Sequence, residues 1–151
     1  MSTDLQNTYA DKQTITGTAF ESTNSIDHGA STGRGPGPSR GIYLVISNRV
    51  LWTDAITAPI FVLESTNAVS APGVPDFTSP TNVASYTAST ALVPAGEIIA
   101  QVALPTIEER YTQITATWTT AVSPAITDCL SAFLTTDPQA TFPGRAAVVV
   151  A

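Results

Sequence analysis

Charge, cysteine and long apolar runs are all scarce in this sequence. Only 12% of the 151 residues are charged, about half the ~25% that is typical of soluble domains. The longest apolar run is the short stretch Ala146–Ala151, whereas a membrane-spanning helix needs about 20 apolar residues. We therefore expect no membrane partner. No charged-then-apolar leader is visible at Met1–Ala10, so no secretory signal is expected.

The few basic residues and the single cysteine exclude further classes of protein. Six Lys and Arg stand against twelve Asp and Glu, which gives a net charge of −6. A nucleic-acid-binding surface needs a basic stripe. None is present, so nucleic acid is not an expected partner. Because Cys129 is the only cysteine, neither an intrachain disulfide nor a cysteine-based metal site can form.

Threonine and serine supply most of the remaining polar surface, and their pattern is typical of strands. Threonine is β-branched and favours strands, whereas the 11 prolines and 9 glycines interrupt most windows of helical length. Apolar residues alternate with polar ones at period two. The predicted strands are Gln13–Phe20, Ile42–Ser47, Ile60–Ser65, Thr81–Ala88, Glu97–Leu104, Arg110–Thr119 and Thr127–Thr135, with Phe142–Ala151 as a candidate edge strand.

Short strands separated by turn signals predict an all-β fold, an antiparallel β-sandwich or jelly roll of about eight strands. Antiparallel pairing is favoured because no convincing helix is available for parallel crossovers. Residues 1–12 are expected to form an extended N-terminal arm and residues 13–151 a single sandwich domain, with long loops at Gly29–Gly41 and Ser70–Pro80. The predicted core consists of Ile42, Leu44, Ile46, Phe61, Leu63, Ile98, Val102, Leu104, Ile114, Trp118, Leu130 and Phe133.

Catalytic and metal chemistry finds little support in the sequence. His28, the only histidine, follows Asp27, but adjacent residues in an extended segment point to opposite faces. No G-x-S-x-G nucleophile elbow is present, and no metal-ligand spacing is recognisable. Glu108 and Glu109 are expected to be solvated charges near Arg110. We therefore predict no enzyme activity, no cofactor and no metal site.

The candidate partner-binding residues lie at the periphery of the predicted sandwich. The stiff loop Gly33–Arg40 lacks the spacing and lysine of a Walker loop. Its two arginines suit an acidic protein surface, and the alternative is a plain surface loop. Trp52, beside Arg49, is either an interface anchor or a cover for the end of the sandwich. The apolar tail Ala146–Ala151 either pairs in its own sheet or docks on a partner. The predicted contact residues are Leu5, Gln6, Tyr9, Arg34, Arg40, Trp52, Phe142 and Val150.

Several short segments, taken in order along the chain, resemble one known protein family. Ser22–Gly29 (STNSIDHG) looks like a Ser-Thr-Asn-x-Ile-Asp-Leu-Gly pattern, and Leu104–Trp118 resembles a Leu-Pro…Arg-Tyr-x-x-x-x-Tyr stretch. Together they resemble the jelly-roll capsid cement (decoration) proteins of short-tailed bacteriophages. The other segments that carry the resemblance are Asp4–Thr16, Gly33–Val45, Phe61–Ser65 and Asp76–Ala84.

The resemblance implies a protein of the virion, made in the host bacterial cytoplasm and bound to the outer capsid surface. There it would bridge subunits of the major capsid protein and stabilise the icosahedral shell. It also implies a homo-oligomer, with a dimer favoured. The alternative is a phage β-sandwich that binds carbohydrate or a receptor, which would present exposed aromatic platforms at Trp52, Tyr86 or Tyr111. A hydrolase on the same fold, using Asp27 and His28, is the third hypothesis.

Overall fold

The computed structural model describes residues 7–29, 42–52, 58–87, 96 and 98–136. These residues contain no α-helix, and every strand pairing among them is antiparallel, which confirms the predicted all-β antiparallel class. No helix of the described part is long and apolar enough to cross a membrane. The strands are β1 (Thr8–Glu21), β2 (Ile26–Asp27), β3 (Tyr43–Asn48), β4 (Ile60–Thr66), β5 (Val69–Ala71), β6 (Val74–Pro75), β7 (Thr81–Thr87), β8 (Ile98–Ala103) and β9 (Tyr111–Thr135).

Strand β9 is the central strand of the sheet because β1, β2, β3 and β4 all pair with it. Its first part, Tyr111–Thr117, lies between β4 on one side and β1 with β2 on the other. Its last part, Leu130–Thr135, lies between β3 and β1. Beyond these neighbours, β7 pairs with β4 and β8 pairs with β3. The sheet therefore has two wings, β7–β4–β9 and β9–β3–β8, joined by the long ribbon of β1 and β9.

This ribbon must bend for the protein to be compact. A straight strand of 25 residues would be roughly 80 Å long at about 3.3 Å per residue. A chain of this length has an expected radius of gyration of about 15 Å. The register between β1 and β9 shifts at five places, and such bulges bend strands. Left-handed backbone occurs in the same ribbon at Lys12 (φ 50°), Gly17 (φ 64°) and Asp128 (φ 52°).

The side chain of Gln13 shows how sharply β1 turns. Its amide Nε2 donates to the carbonyl of Glu21 at 2.6 Å, and its Oε1 accepts from the backbone N–H of Thr23 at 2.8 Å. In a straight strand, residues 13 and 21 would be roughly 26 Å apart. The strand therefore folds back on itself between these residues, and Gln13 links the two ends of the bend.

The two wings face each other across one apolar core, as in a sandwich of the jelly-roll type. Leu44 and Ile46 from β3 belong to the same buried cluster as Phe61 and Leu63 from β4. The predicted core residues in this cluster are Leu44, Ile46, Phe61, Leu63, Leu104, Ile114, Trp118 and Leu130. Ile98 is buried as predicted but lies outside the cluster.

Three predicted core residues are only partly buried. Ile42 and Val102 pack against the core from its margin. Phe133 is half-buried because the alternation of β9 places it on the opposite face from Ala132 and Leu134, which are buried. The prediction of a core position is therefore wrong for Phe133.

Two local predictions are also wrong. The segments Arg110–Thr119 and Thr127–Thr135 are parts of one strand, β9, which continues through the cis peptide bond before Pro124. Neither β3 nor β4 pairs with β9 between residues 118 and 129, and proline is tolerated where a ladder bond is not required. The predicted loop Ser70–Pro80 contains part of a hairpin, β5–β6, whose Gly73 has φ 74°, as a type II turn requires after proline.

The predicted N-terminal arm of residues 1–12 overlaps the first strand. β1 begins at Thr8, and Thr8 pairs with Phe133 while Ala10 pairs with Ala132. Residues 8–12 therefore belong to the sheet. The candidate edge strand Phe142–Ala151 lies outside the described residues.

Candidate partner-binding surface

Two of the predicted contact residues, Tyr9 and Trp52, are fully buried in the core. Neither side chain is available to a partner, so the predicted contact role is wrong for both. The other predicted contact residues lie outside the described part of the chain: Leu5, Gln6, Arg34, Arg40, Phe142 and Val150.

Tyr9 is buried because it belongs to β1 and not to an arm. Its hydroxyl lies 2.7 Å from Thr112 Oγ1, and its carbonyl accepts from the N–H of Asn24 at 3.0 Å. Burial raises the pKa of the Tyr9 phenol. The polar residues around Tyr9 in the sequence gave no sign of this position, since the burial depends on pairing with β9, more than 100 residues away.

Trp52 covers the core, in agreement with the structural alternative for this residue. Its indole Nε1 donates to Asn48 Oδ1 at 2.7 Å, and its ring lies 6.0 Å from that of Trp118 at an interplanar angle of 51°. The Cys129 thiol also donates to Asn48 Oδ1, at 3.2 Å. Burial raises the pKa of Cys129 to about 12. A polar residue, Asn48, thus satisfies two buried donors and positions the tryptophan.

An ion pair joins β2 to the start of β9. Arg110 Nε donates to Asp27 Oδ1 and Arg110 Nη2 to Asp27 Oδ2, each at 2.8 Å, and the guanidinium lies 4.9 Å from the centre of the Tyr111 ring. The hydrogen bonds from Arg110 lower the pKa of Asp27 to about 2. Arg110 therefore pairs with Asp27 and not with Glu108 or Glu109.

His28 is the half-buried end of a hydrogen-bond chain that runs into the core. Its Nε2 lies 2.8 Å from Thr112 Oγ1, which also contacts the Tyr9 hydroxyl. Desolvation lowers the pKa of His28, against the opposing effect of Asp27. Thr112 is fully buried, so the group that His28 contacts is closed to a substrate. No three His, Cys, Asp or Glu side chains of the described residues are grouped so that they could hold a metal ion.

An uncharged surface covers the outer side of the β7–β4–β9 wing. Ile60 on β4 lies opposite Thr87 on β7 and Thr117 on β9, and Val62 lies opposite Ser85 and Thr115. Directly opposed residues of antiparallel strands share a face. On β1, Ala19 extends the first row because it lies opposite Thr117, and the exposed Glu21 borders the second row because it lies opposite Thr115. We call these seven residues the hydroxyl face: Ala19, Ile60, Val62, Ser85, Thr87, Thr115 and Thr117.

The hydroxyl face is open to solvent and has acidic borders. Ile60 is 43% exposed, and Ala19, Ser85 and Thr117 are also exposed. Glu64 follows Val62 on the same face of β4 and accepts from Gln113 Nε2 at 2.8 Å. Four strands about 4.8 Å apart span roughly 15 Å, so this face is smaller than the ~800 Å² per partner of a standard interface.

The β5–β6 hairpin forms a second apolar element at the end of β4. All residues from Asn67 to Val74 are exposed, and Val69 and Val74 are each 50% exposed. Its base is held by the Asp76 N–H, which donates to the Ala68 carbonyl at 2.9 Å.

The period-two pattern of Arg110–Thr119 already indicated that Thr115 and Thr117 point away from the core. It contained no information on which residues of β4 and β7 would lie beside them.

No protein-family model matches this chain, and no curated protein matches it significantly.

Proposed function

We propose that this protein is a capsid decoration protein that binds the outer surface of an icosahedral phage shell and stabilises it by bridging subunits of the major capsid protein. The observation that carries the proposal is the hydroxyl face, an open, uncharged patch across four strands. The ordered resemblance of segments such as Ser22–Gly29 and Leu104–Trp118 to capsid cement proteins supports the same function.

The hydroxyl face suits binding by area and neutral hydrogen bonds. Threonine and serine hydroxyls both donate and accept, so they can pair with the backbone or side chains of a partner. Ile60 and Val62 add apolar area worth about 25 cal/mol per Å² buried. The seven residues themselves carry no charge. The carboxylates of Glu21 and Glu64 lie at the border of the face, where they can stay solvated and avoid the large cost of burying an ion.

A face this small needs more than one contact to bind firmly. A homodimer would present two hydroxyl faces and could join two capsid subunits, and linked contacts gain affinity through effective concentration. The β5–β6 hairpin, with Val69 and Val74 exposed, offers further apolar area beside the same wing. The proposed location is therefore the outer capsid surface of the virion, with no cofactor involved.

The carbohydrate- or receptor-binding alternative lacks its predicted aromatic platforms. Trp52, Tyr86 and Tyr111 are all buried, so none of them can stack on a sugar. No observation on the described residues favours this alternative over capsid binding.

The decisive experiment adds purified protein to shells that lack it, assembled from the major capsid protein of the same genome. We expect saturable binding and greater heat resistance of the shell. Thr117→Asp places a charge in the centre of the hydroxyl face and should abolish both effects. Thr14→Asp is the matched control, because Thr14 is an exposed strand threonine outside this face, and it should bind like the wild type.

Absence of saturable binding by the wild-type protein would refute capsid decoration. Equal binding by the Thr117→Asp and Thr14→Asp variants, both with wild-type circular dichroism, would show that the hydroxyl face is not the contact.

A further inference from the structure

The β9–β3–β8 wing has a pocket of about 380 Å³ on the side that faces away from the core. The floor of the pocket consists of Val45, Ser47 and Arg49. These residues alternate along β3 and just beyond its end, so their side chains point to the face opposite that of Leu44 and Ile46. Pockets that bind small molecules typically measure about 300–1,000 Å³. The pocket is therefore large enough for a small organic ligand.

The walls of this pocket are mainly apolar. Phe133 lies opposite Val45, and Ile98 lies opposite Ser47, on the two strands that flank β3. Gly96 lines the pocket just before β8. Apolar walls with a few polar groups are the usual composition of a ligand site.

Arg49 is the one charged residue among the described residues that line the pocket. It is exposed, and no carboxylate of the described residues lies within ion-pair distance of it, whereas Arg110 is paired with Asp27. The chain has only six Lys and Arg in total and a net charge of −6. A guanidinium binds a carboxylate through paired hydrogen bonds, so the charge at this position favours an organic anion.

The backbone around the pocket is already held in place. The Arg49 N–H donates to the Cys129 carbonyl at 2.7 Å, and the Gly96 N–H donates to the Asn48 carbonyl at 2.9 Å. Asn48 also lines the pocket and accepts from the indole of Trp52. A preorganised site loses less affinity to ordering on binding.

We infer that this pocket binds a small organic acid, with its carboxylate on Arg49 and its apolar body against Phe133, the half-buried apolar side chain of the lining, above Val45 and Ile98, which are already buried. The site lies on a different wing from the hydroxyl face, so the inference does not rest on capsid binding.

In the test, the full chain is titrated with octanoate, and binding is measured by isothermal titration calorimetry and by tryptophan fluorescence. The fluorescence responds to the pocket because Trp52 donates a hydrogen bond to Asn48, which lines it. We expect saturable binding of one octanoate per chain. Arg49→Gln should weaken it by at least about tenfold, because a charge-assisted pair is lost. Arg110→Gln is the matched control and should leave the affinity unchanged.

Two further arms locate the ligand. Octanol has the same apolar chain and no charge, so its affinity should not respond to Arg49→Gln. Ser47→Leu fills the floor of the pocket and should abolish binding of octanoate. The inference is overturned if wild-type protein does not bind octanoate saturably, if Arg49→Gln binds it as well as wild type does, or if Ser47→Leu leaves the affinity unchanged.

Discussion

The buried contact between Tyr9 and Thr112 offers a sharp test of how β1 is held against β9. Thr112→Val keeps the shape of the side chain and removes the hydroxyl. The Tyr9 hydroxyl, which is fully buried, then loses its hydrogen-bond partner. An unsatisfied buried polar group costs about 1–3 kcal/mol. His28 is only half-buried and can turn its ring nitrogen towards water, so it adds little to this cost.

We therefore expect Thr112→Val to lower the free energy of unfolding by about 2 kcal/mol. For a chain of this size, that corresponds to a decrease in Tm of about 4–8 °C. Tyr9→Phe should cost less, about 1 kcal/mol, since Thr112 retains its bond to His28. Urea denaturation followed by tryptophan fluorescence measures both values.

The double variant Tyr9→Phe/Thr112→Val distinguishes the hydrogen bond from general damage to packing. Because removing both partners leaves no orphaned hydroxyl, its loss should be about 1 kcal/mol or more smaller than the sum of the single losses. If the two losses add to within about 0.5 kcal/mol, or if Thr112→Val leaves stability unchanged, Tyr9 is not held as the structure indicates.

Three other predictions concern the titratable groups. The pKa of His28 is lowered in the folded state, so the unfolded chain takes up a proton at a higher pH than the folded chain does. The free energy of unfolding should therefore fall as the pH drops below about 6.5. His28→Gln should flatten this dependence in urea titrations from pH 7 to 5. Arg110→Gln should lower Tm at low ionic strength. The difference in Tm between variant and wild type should shrink in high salt, because screening weakens the exposed ion pair with Asp27. A difference in Tm that does not depend on salt would contradict an ionic origin. Cys129, with its raised pKa and buried thiol, should react with Ellman's reagent only after unfolding, so rapid labelling of native protein would contradict its burial.

Much of the fold was predictable because alternation along a strand is a local property. The apolar run of β3 and the alternation of Ile114, Ala116 and Trp118 correctly indicated their buried faces. The hairpin β5–β6 was missed, since Pro72 and Gly73 read as a loop although they form its turn.

The candidate surface was predictable only in its chemistry. Low charge and abundant threonine already indicated a neutral, hydroxyl-rich surface. The individual contact residues were chosen by their position in apparent loops and ends, and for Tyr9 and Trp52 this choice was wrong. Local sequence cannot show whether a distant strand will cover an aromatic ring.

The sequence by itself determined that this protein is an antiparallel β structure with a hydroxyl-rich exterior, because side-chain type and period-two alternation act within each strand. Only the tertiary structure decided which strands, and which of their side chains, lie next to each other. The register of β4 against β7 and β9 assembled the hydroxyl face, and the pairing of β3 with β8 and β9 formed the pocket around Arg49. Such neighbours come from strands far apart in the chain, and their pairing depends on packing of the whole core.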